Sequence, residues 1–111
     1  MPDFGAPIGY EKLTVSNSVK TLTAGKYRHF SDEVAVGATN ALVSARSALI
    51  TTEATNGLRF TLDGTAPVAG TTGHLLAGGS SLTLSGFGSL VNFKAIRESA
   101  SDAVIHVTYF A

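Results

Sequence analysis

The chain has 111 residues, of which 44% are hydrophobic and 14% charged, with eight basic and eight acidic side chains and no cysteine. This length suits one domain with its own core, and the low charged fraction excludes disorder driven by charge. The balanced charge offers no basic field to nucleic acid or to an anionic membrane, so we expect neither as a partner. The absence of cysteine excludes disulfides and thiol chemistry.

The composition favours short strands, because the chain contains 12 glycines and many β-branched residues beside few Lys and Glu. No apolar run approaches the roughly 20 residues that a membrane helix needs. The first residues, MPDFGAPIGYEK, lack the basic and apolar regions of an export signal. We therefore expect a soluble β-rich protein made in a reducing cytoplasm.

The first 12 residues predict an extended N-terminal arm, residues 1–12, ahead of a single domain formed by residues 13–111. Prolines and glycines in this segment disfavour a helix and interrupt ladders. Phe4, Ile8 and Tyr10 are nevertheless apolar enough to seek burial, so we expect the arm to dock on a partner. The alternative is a tail that packs on its own domain or frays.

Short strands are predicted in the first half of the domain, where the alternation of apolar and polar residues is less regular than in the second half. Leu13 and Val15 share one face of a strand, and Asn17-Ser18 form a turn. Further short strands are expected at 19–23, 27–30, 34–36 and, in place of a helix, across most of 40–52. The segment around Tyr27 and Phe30 mixes aromatic and charged residues, and we add these two aromatics to the candidate partner contacts.

The second half alternates more regularly between apolar and polar residues. This alternation predicts strands at 58–62, 73–76 and 81–85, separated by turns at Asp63-Gly64 and 77–79. The last two strands, 90–97 and 103–110, are expected to form a hairpin. About eight short antiparallel strands at this spacing indicate an all-β single domain, a β-sandwich of jelly-roll-like form.

The chain shows little sign of catalytic or metal chemistry. His29, His74 and His106 lack the spacing of a zinc site, and the glycine-rich stretches lack the residues that complete a phosphate-binding loop. Asp63, and the two adjacent acidic residues Asp32-Glu33, are better explained as turn or loop charges than as catalytic carboxylates. No serine sits in a nucleophile elbow. We expect no enzymatic activity, no cofactor and no metal, and we keep a lectin-like glycan-binding module as an alternative.

The order of phrases from Ala48 onward resembles small virion proteins encoded among the head genes of tailed phages. The stretch from Leu62 to Pro67 has the Leu-Asp-Gly-Thr-x-Pro phrase of that group, and Gly73 to Leu76 has its Gly-His-Leu-Leu phrase. The closing phrases lie at Phe93 to Arg97 and at His106 to Tyr109. The resemblance covers roughly the second half of the chain, whereas residues 1–47 match less well.

This resemblance implies a capsid cement or decoration protein, which would bind the outside of the shell on the major capsid protein. It would be made in the host cytoplasm, act as a homo-oligomer, either a dimer or a trimer, and reside on the virion surface. Many weak contacts repeated over a symmetric shell would supply its avidity. A head–tail connector or tail component is the alternative within the virion.

Overall fold

The computed structural model describes the backbone of residues 7–30 and 42–111 and the side chains of residues 7–27 and 45–111. Within these ranges the chain forms ten strands and two short helices. The strands are β1 Pro7–Val15, β2 Lys20–Thr21, β3 Arg28–Phe30, β4 Leu42–Ser44, β5 Ser47–Thr52, β6 Leu58–Thr61, β7 His74–Leu76, β8 Ser81–Ser85, β9 Lys94–Arg97 and β10 Ala103–Phe110. The helices are α1 Ala24–Tyr27 and α2 Phe87–Asn92.

Eight of the strands form two four-stranded antiparallel sheets. Sheet A has the order β1-β10-β5-β8, and sheet B has the order β2-β9-β6-β7. Strands β3 and β4 pair with each other in a separate antiparallel ladder. The prediction of an all-β sandwich with about eight short antiparallel strands is therefore confirmed.

The pairing of these eight strands is nested along the chain. β1 pairs with β10, β2 with β9, β5 with β8, and β6 with β7. The outermost pair lies in sheet A, the next in sheet B, and so on alternately. This alternation of nested pairs between two sheets is the jelly-roll arrangement, which confirms the more specific part of the prediction.

The core lies between the sheets and follows the alternation of the sequence. Along β10, Ile105, Val107 and Tyr109 are fully buried, while His106 and Thr108 between them are partly exposed. Sheet B contributes Phe60 and, just before β9, Phe93, whose rings stack with centroids 5.9 Å apart. The period of two in β10 therefore matches its inward and outward faces, whereas the alternation expected at 58–62 ends early, since Thr61 is buried and Leu62 is exposed.

The boundary expected between an arm and the domain falls inside β1. Residues 7–12 are extended, but they pair with β10, with Pro7 opposite Phe110 and Lys12 opposite His106. The alternation that buries Leu13 and Val15 begins upstream at Glu11, so this part of the segment is a sheet strand. Residues 1–6 lie outside the described residues.

The expected hairpin between the last two strands is wrong. β9 pairs with β2 and β6 in sheet B, whereas β10 pairs with β1 and β5 in sheet A. β10 turns Ile105, Val107 and Tyr109 towards the core, and β9 turns Ala95 towards it from the opposite side. The connection between them therefore crosses from one sheet to the other.

Helices replace strand residues at two places. The strand expected from Leu90 begins only at Lys94, because Gly86, at a φ of 89°, redirects the chain into α2, which buries Leu90. Such a φ suits glycine, which has no Cβ. The strand expected at 27–30 is shortened by α1, which ends at Tyr27. The strand expected at 34–36 lies outside the described residues.

Candidate binding surfaces

The five residues expected to contact a partner have different positions. Tyr10 is 53% exposed on the outer face of sheet A. Ile8 is partly buried and packs against the core. Tyr27 is a buried core residue at 6% exposure, so it provides no free surface. Phe4 and the side chain of Phe30 lie outside the described residues.

Tyr27 is buried because the short helix α1 turns its ring inward. The ring meets Phe87 edge-on at 5.8 Å and Tyr109 at 6.0 Å, measured between ring centroids. The Tyr27 carbonyl also accepts a hydrogen bond from the Ala45 amide. These contacts join the segment before β3 to α2 and β10 and make Tyr27 a structural residue.

Tyr10 belongs to a polar chain on the outer face of sheet A. Its hydroxyl lies 2.6 Å from Nδ1 of His106, and Nε2 of His106 lies 2.9 Å from a carboxylate oxygen of Glu53. The hydrogen bond from His106, together with the nearby charge of Lys12, lowers the pKa of Glu53. An ionised carboxylate only accepts, so Nε2 of His106 donates to Glu53, while Nδ1 shares the second hydrogen bond with the Tyr10 hydroxyl.

A second polar group lies beneath that face, in the core. The Glu11 carboxylate accepts hydrogen bonds from the Thr23 amide at 3.1 Å, the Thr23 hydroxyl at 2.6 Å and the Tyr109 hydroxyl. Burial raises the pKa of Tyr109, and its bond to Glu11 raises it further. This cluster is satisfied internally, since no buried side-chain polar atom among the described residues lacks a partner.

The residues Thr61, Asp63, Thr65 and His74 line an open groove of about 500 Å³ at the start of the loop between β6 and β7. Asp63 Oδ1 accepts a hydrogen bond from the Thr65 amide at 3.0 Å, which lowers the pKa of Asp63. Gly64 follows with a φ of 88°. The expected turn at Asp63-Gly64 is therefore confirmed.

The remainder of this loop is fixed by an ion pair on sheet B. Arg59 and Glu98 make a bidentate contact at 2.7 and 3.1 Å, and Arg59 also donates to the Gly73 carbonyl at 3.0 Å. The same Glu98 carboxylate accepts from the Gly70 amide at 2.8 Å. The Arg59 guanidinium and this amide lower the pKa of Glu98. Arg59 and Glu98 thus hold the loop against the sheet.

The Tyr10–His106–Glu53 chain could not be found from the sequence. Its three members come from β1, β10 and the loop after β5, and only the register of three strands brings them together. His106 alternates with core residues along β10 and is partly exposed. No sequence signal singled out Glu53 or Lys12.

The described residues contain no group of three or more His, Cys, Asp or Glu side chains that could hold a metal ion. No helix in the described ranges is long and apolar enough to cross a membrane. Comparison with protein-family models, with curated proteins and with solved structures finds no match to this chain.

Proposed function

We propose that this protein is a structural component of a tailed-phage particle, a cement or decoration protein that binds the outer surface of the capsid and stabilises it. The observation that carries the proposal is the nested order of eight strands. Jelly rolls of this order recur in viral capsid domains. This support is an analogy at the level of the fold, and it is joined by the sequence resemblance of the second half of the chain.

Several segments of the chain meet at one end of the sandwich, which supports a binding role for that end. Pro7 lies opposite Phe110, and the Arg46 amide donates to the Phe110 carbonyl. The adjoining Ala45–Tyr27 hydrogen bond forms the base of the β3–β4 ladder. The start of β1, the end of β10 and this ladder therefore adjoin one another, so contacts from several segments could be made to one shell surface.

The test is the copy number of the protein in purified particles, measured by quantitative mass spectrometry against the major capsid protein. A cement protein occurs in proportion to the shell subunits, because it occupies positions repeated by the shell symmetry. A small fixed number per particle would instead indicate a head–tail connector or a tail component. Absence from the particle would overturn the virion proposal.

A lectin-like module is the second candidate, favoured by the groove beside Asp63 and His74. Jelly rolls also include lectin domains, and the groove presents hydroxyl, carboxylate and imidazole groups to solvent. The imidazole of His74 is exposed, with its ring 5.4 Å from that of Phe60. A glycan array probed with the wild-type protein and with a His74→Ala variant tests this candidate, and an array without specific hits removes it.

A further inference from the structure

Strand β8 is an open edge of sheet A without the usual protection of an edge strand. It pairs with β5 on one side, and no strand among the described residues pairs with its other side. Its five residues contain no charge and no proline. Edge strands normally carry such features because unpaired backbone groups invite another strand.

The other three edges of the two sheets are protected. β1 begins with Pro7, has an irregular register between Pro7 and Gly9, and carries the charged Lys12. β2 contains two residues and β7 contains three. Short strands, irregularities and lysine all oppose strand addition. β8 is therefore the edge best suited to accept a strand.

The outward-facing backbone groups of β8 follow from the hydrogen bonds at the ends of its ladder. The Thr52 amide donates to the Ser80 carbonyl, and the Gly86 amide donates to the Arg46 carbonyl. Residues facing a neighbour alternate along an antiparallel strand. Positions 80, 82, 84 and 86 therefore face β5, and Ser81, Thr83 and Ser85 direct their N–H and C=O groups to the open side.

The sequence of β8 reads the same in both directions: Ser81-Leu82-Thr83-Leu84-Ser85. An antiparallel copy of the strand centred on Thr83 would place Ser81 opposite Ser85 and Leu82 opposite Leu84. Both leucines face the core, and all three outer positions, Ser81, Thr83 and Ser85, carry hydroxyl groups. Such a pairing brings like residues together on each face without opposing any charges.

We propose that β8 pairs with β8 of a second copy of this chain, antiparallel, across a two-fold axis through Thr83. The three outward-facing residues of each strand would form three hydrogen-bonded pairs with two N–H···O=C bonds each. Leu82 is only partly buried where it packs against the core, and the added strand covers it further. The result is an isologous dimer with a continuous eight-stranded sheet, made from two four-stranded sheets A.

Pairing through β8 does not depend on a role in the virion, because it follows only from the open edge and the sequence of this strand. Of the two oligomers expected from the sequence, a dimer and a trimer, pairing through β8 selects the dimer. An isologous strand pair closes with two chains, whereas a three-fold ring needs two different surfaces on each chain.

Single-cysteine variants test the register, since the chain has no native cysteine. Residues directly opposite in a hydrogen-bonded pair have Cα atoms about 5.5 Å apart, within reach of a disulfide or a short bismaleimide. Thr83→Cys is expected to cross-link to itself. Ser81→Cys alone is not, because two such residues lie about 13 Å apart, but a mixture of Ser81→Cys and Ser85→Cys is.

Thr14→Cys is the matched control, an exposed threonine on the other edge of the same sheet, and it should remain uncross-linked.

The dimer mass, twice the chain mass of 11.4 kDa, is checked by sedimentation equilibrium over a wide concentration series. Thr83→Lys opposes two charges at the axis and should weaken the dimer at least about tenfold, while Thr14→Lys should not.

A wild-type protein that stays monomeric at all concentrations overturns the proposal, and so does a trimer. Equal cross-linking of the cysteine variants at positions 83 and 14 would show random collision and would also overturn it. Because these measurements use the isolated protein, they are independent of whether it is found in a phage particle.

Discussion

Glu11 and Tyr109 form a hydrogen bond inside the core, between the first and the last strand of the sandwich. The Tyr109 hydroxyl donates to the Glu11 carboxylate, which also accepts two hydrogen bonds from Thr23. Tyr109 is fully buried and Glu11 is 8% exposed. A buried carboxylate with three donors is costly to disturb, because each group left behind loses its partner without regaining water.

The variant Glu11→Ala is expected to lower the free energy of unfolding by about 2–4 kcal/mol, because the Tyr109 hydroxyl and the Thr23 groups are left without their acceptor. Urea denaturation followed by circular dichroism measures the loss. The neighbouring exposed Lys12→Ala should change stability by less than about 0.5 kcal/mol. A loss of that small size for Glu11→Ala would contradict a structural role for this cluster.

Alkaline pH is expected to destabilise the wild type more than Tyr109→Phe. Burial and the bond to Glu11 raise the pKa of Tyr109 above its unfolded value. Its contribution is therefore fully present below about pH 10 and is lost as the pH rises beyond that value, by about 1.4 kcal/mol per pH unit. Between pH 8 and pH 11, the difference between the two unfolding free energies should stay constant up to about pH 10 and shrink only above it. Parallel curves would contradict this account.

The sequence predicted which faces of the strands are buried but not which strands are neighbours. Alternation predicted strands at 81–85 and 103–110, and the alternate residues Leu84 and Ile105 of β8 and β10 lie in the core. It could not show that β9 and β10 face each other across the core, because an inward face looks the same in either sheet. Pairing is decided by contacts distant in sequence, such as that of Glu11 with Val107.

The candidate surface was less predictable than the fold. Tyr10 was expected to be available to a partner and is exposed, whereas Tyr27 was expected there and is buried. An aromatic residue in a polar stretch has no periodic neighbours that reveal its direction. The ring of Tyr27 is placed by Phe87 and Tyr109, which are distant in the sequence. The hydrogen-bond partners of His106, Tyr10 and Glu53, could not be predicted for the same reason, since both are distant from it in the sequence.

Glu98 is expected to control the loop between β6 and β7. In Glu98→Ala the Gly70 amide loses its acceptor and Arg59 loses its carboxylate, so hydrogen exchange at Gly70 should become faster. Since the pKa of Glu98 is lowered in the fold, its stabilising effect is present above about pH 4.3 and disappears as the pH falls through the native pKa. The control Asp102→Ala breaks the separate pair with Arg97 and should leave Gly70 exchange unchanged. Equal exchange rates at Gly70 in wild type and Glu98→Ala would refute this role.

Removing residues 1–6 is expected to weaken binding to capsid shells while leaving the fold intact, because this deletion spares β1. Removing residues 1–12 deletes most of the strand that pairs with β10, so we expect that variant to unfold. Thermal unfolding separates the two effects, and cosedimentation with purified shells measures binding. Full-length Phe4→Ala should reproduce part of the binding defect. Unchanged shell binding after deletion of residues 1–6 would remove this segment from the interface.

Two glycine substitutions should act in opposite directions. A Cβ at Gly78 would lie 2.7 Å from the Ala54 carbonyl oxygen, where the loops after β5 and β7 pack backbone against backbone. Gly78→Ala is therefore expected to destabilise the protein by about 1–3 kcal/mol. A Cβ at Gly88, within α2, would meet no heavy atom within 4 Å. Gly88→Ala should stabilise by about 0.5–1 kcal/mol, because alanine loses less backbone freedom in a helix. Urea denaturation of both variants measures the difference, and a neutral Gly78→Ala would show that the two loops can separate without cost.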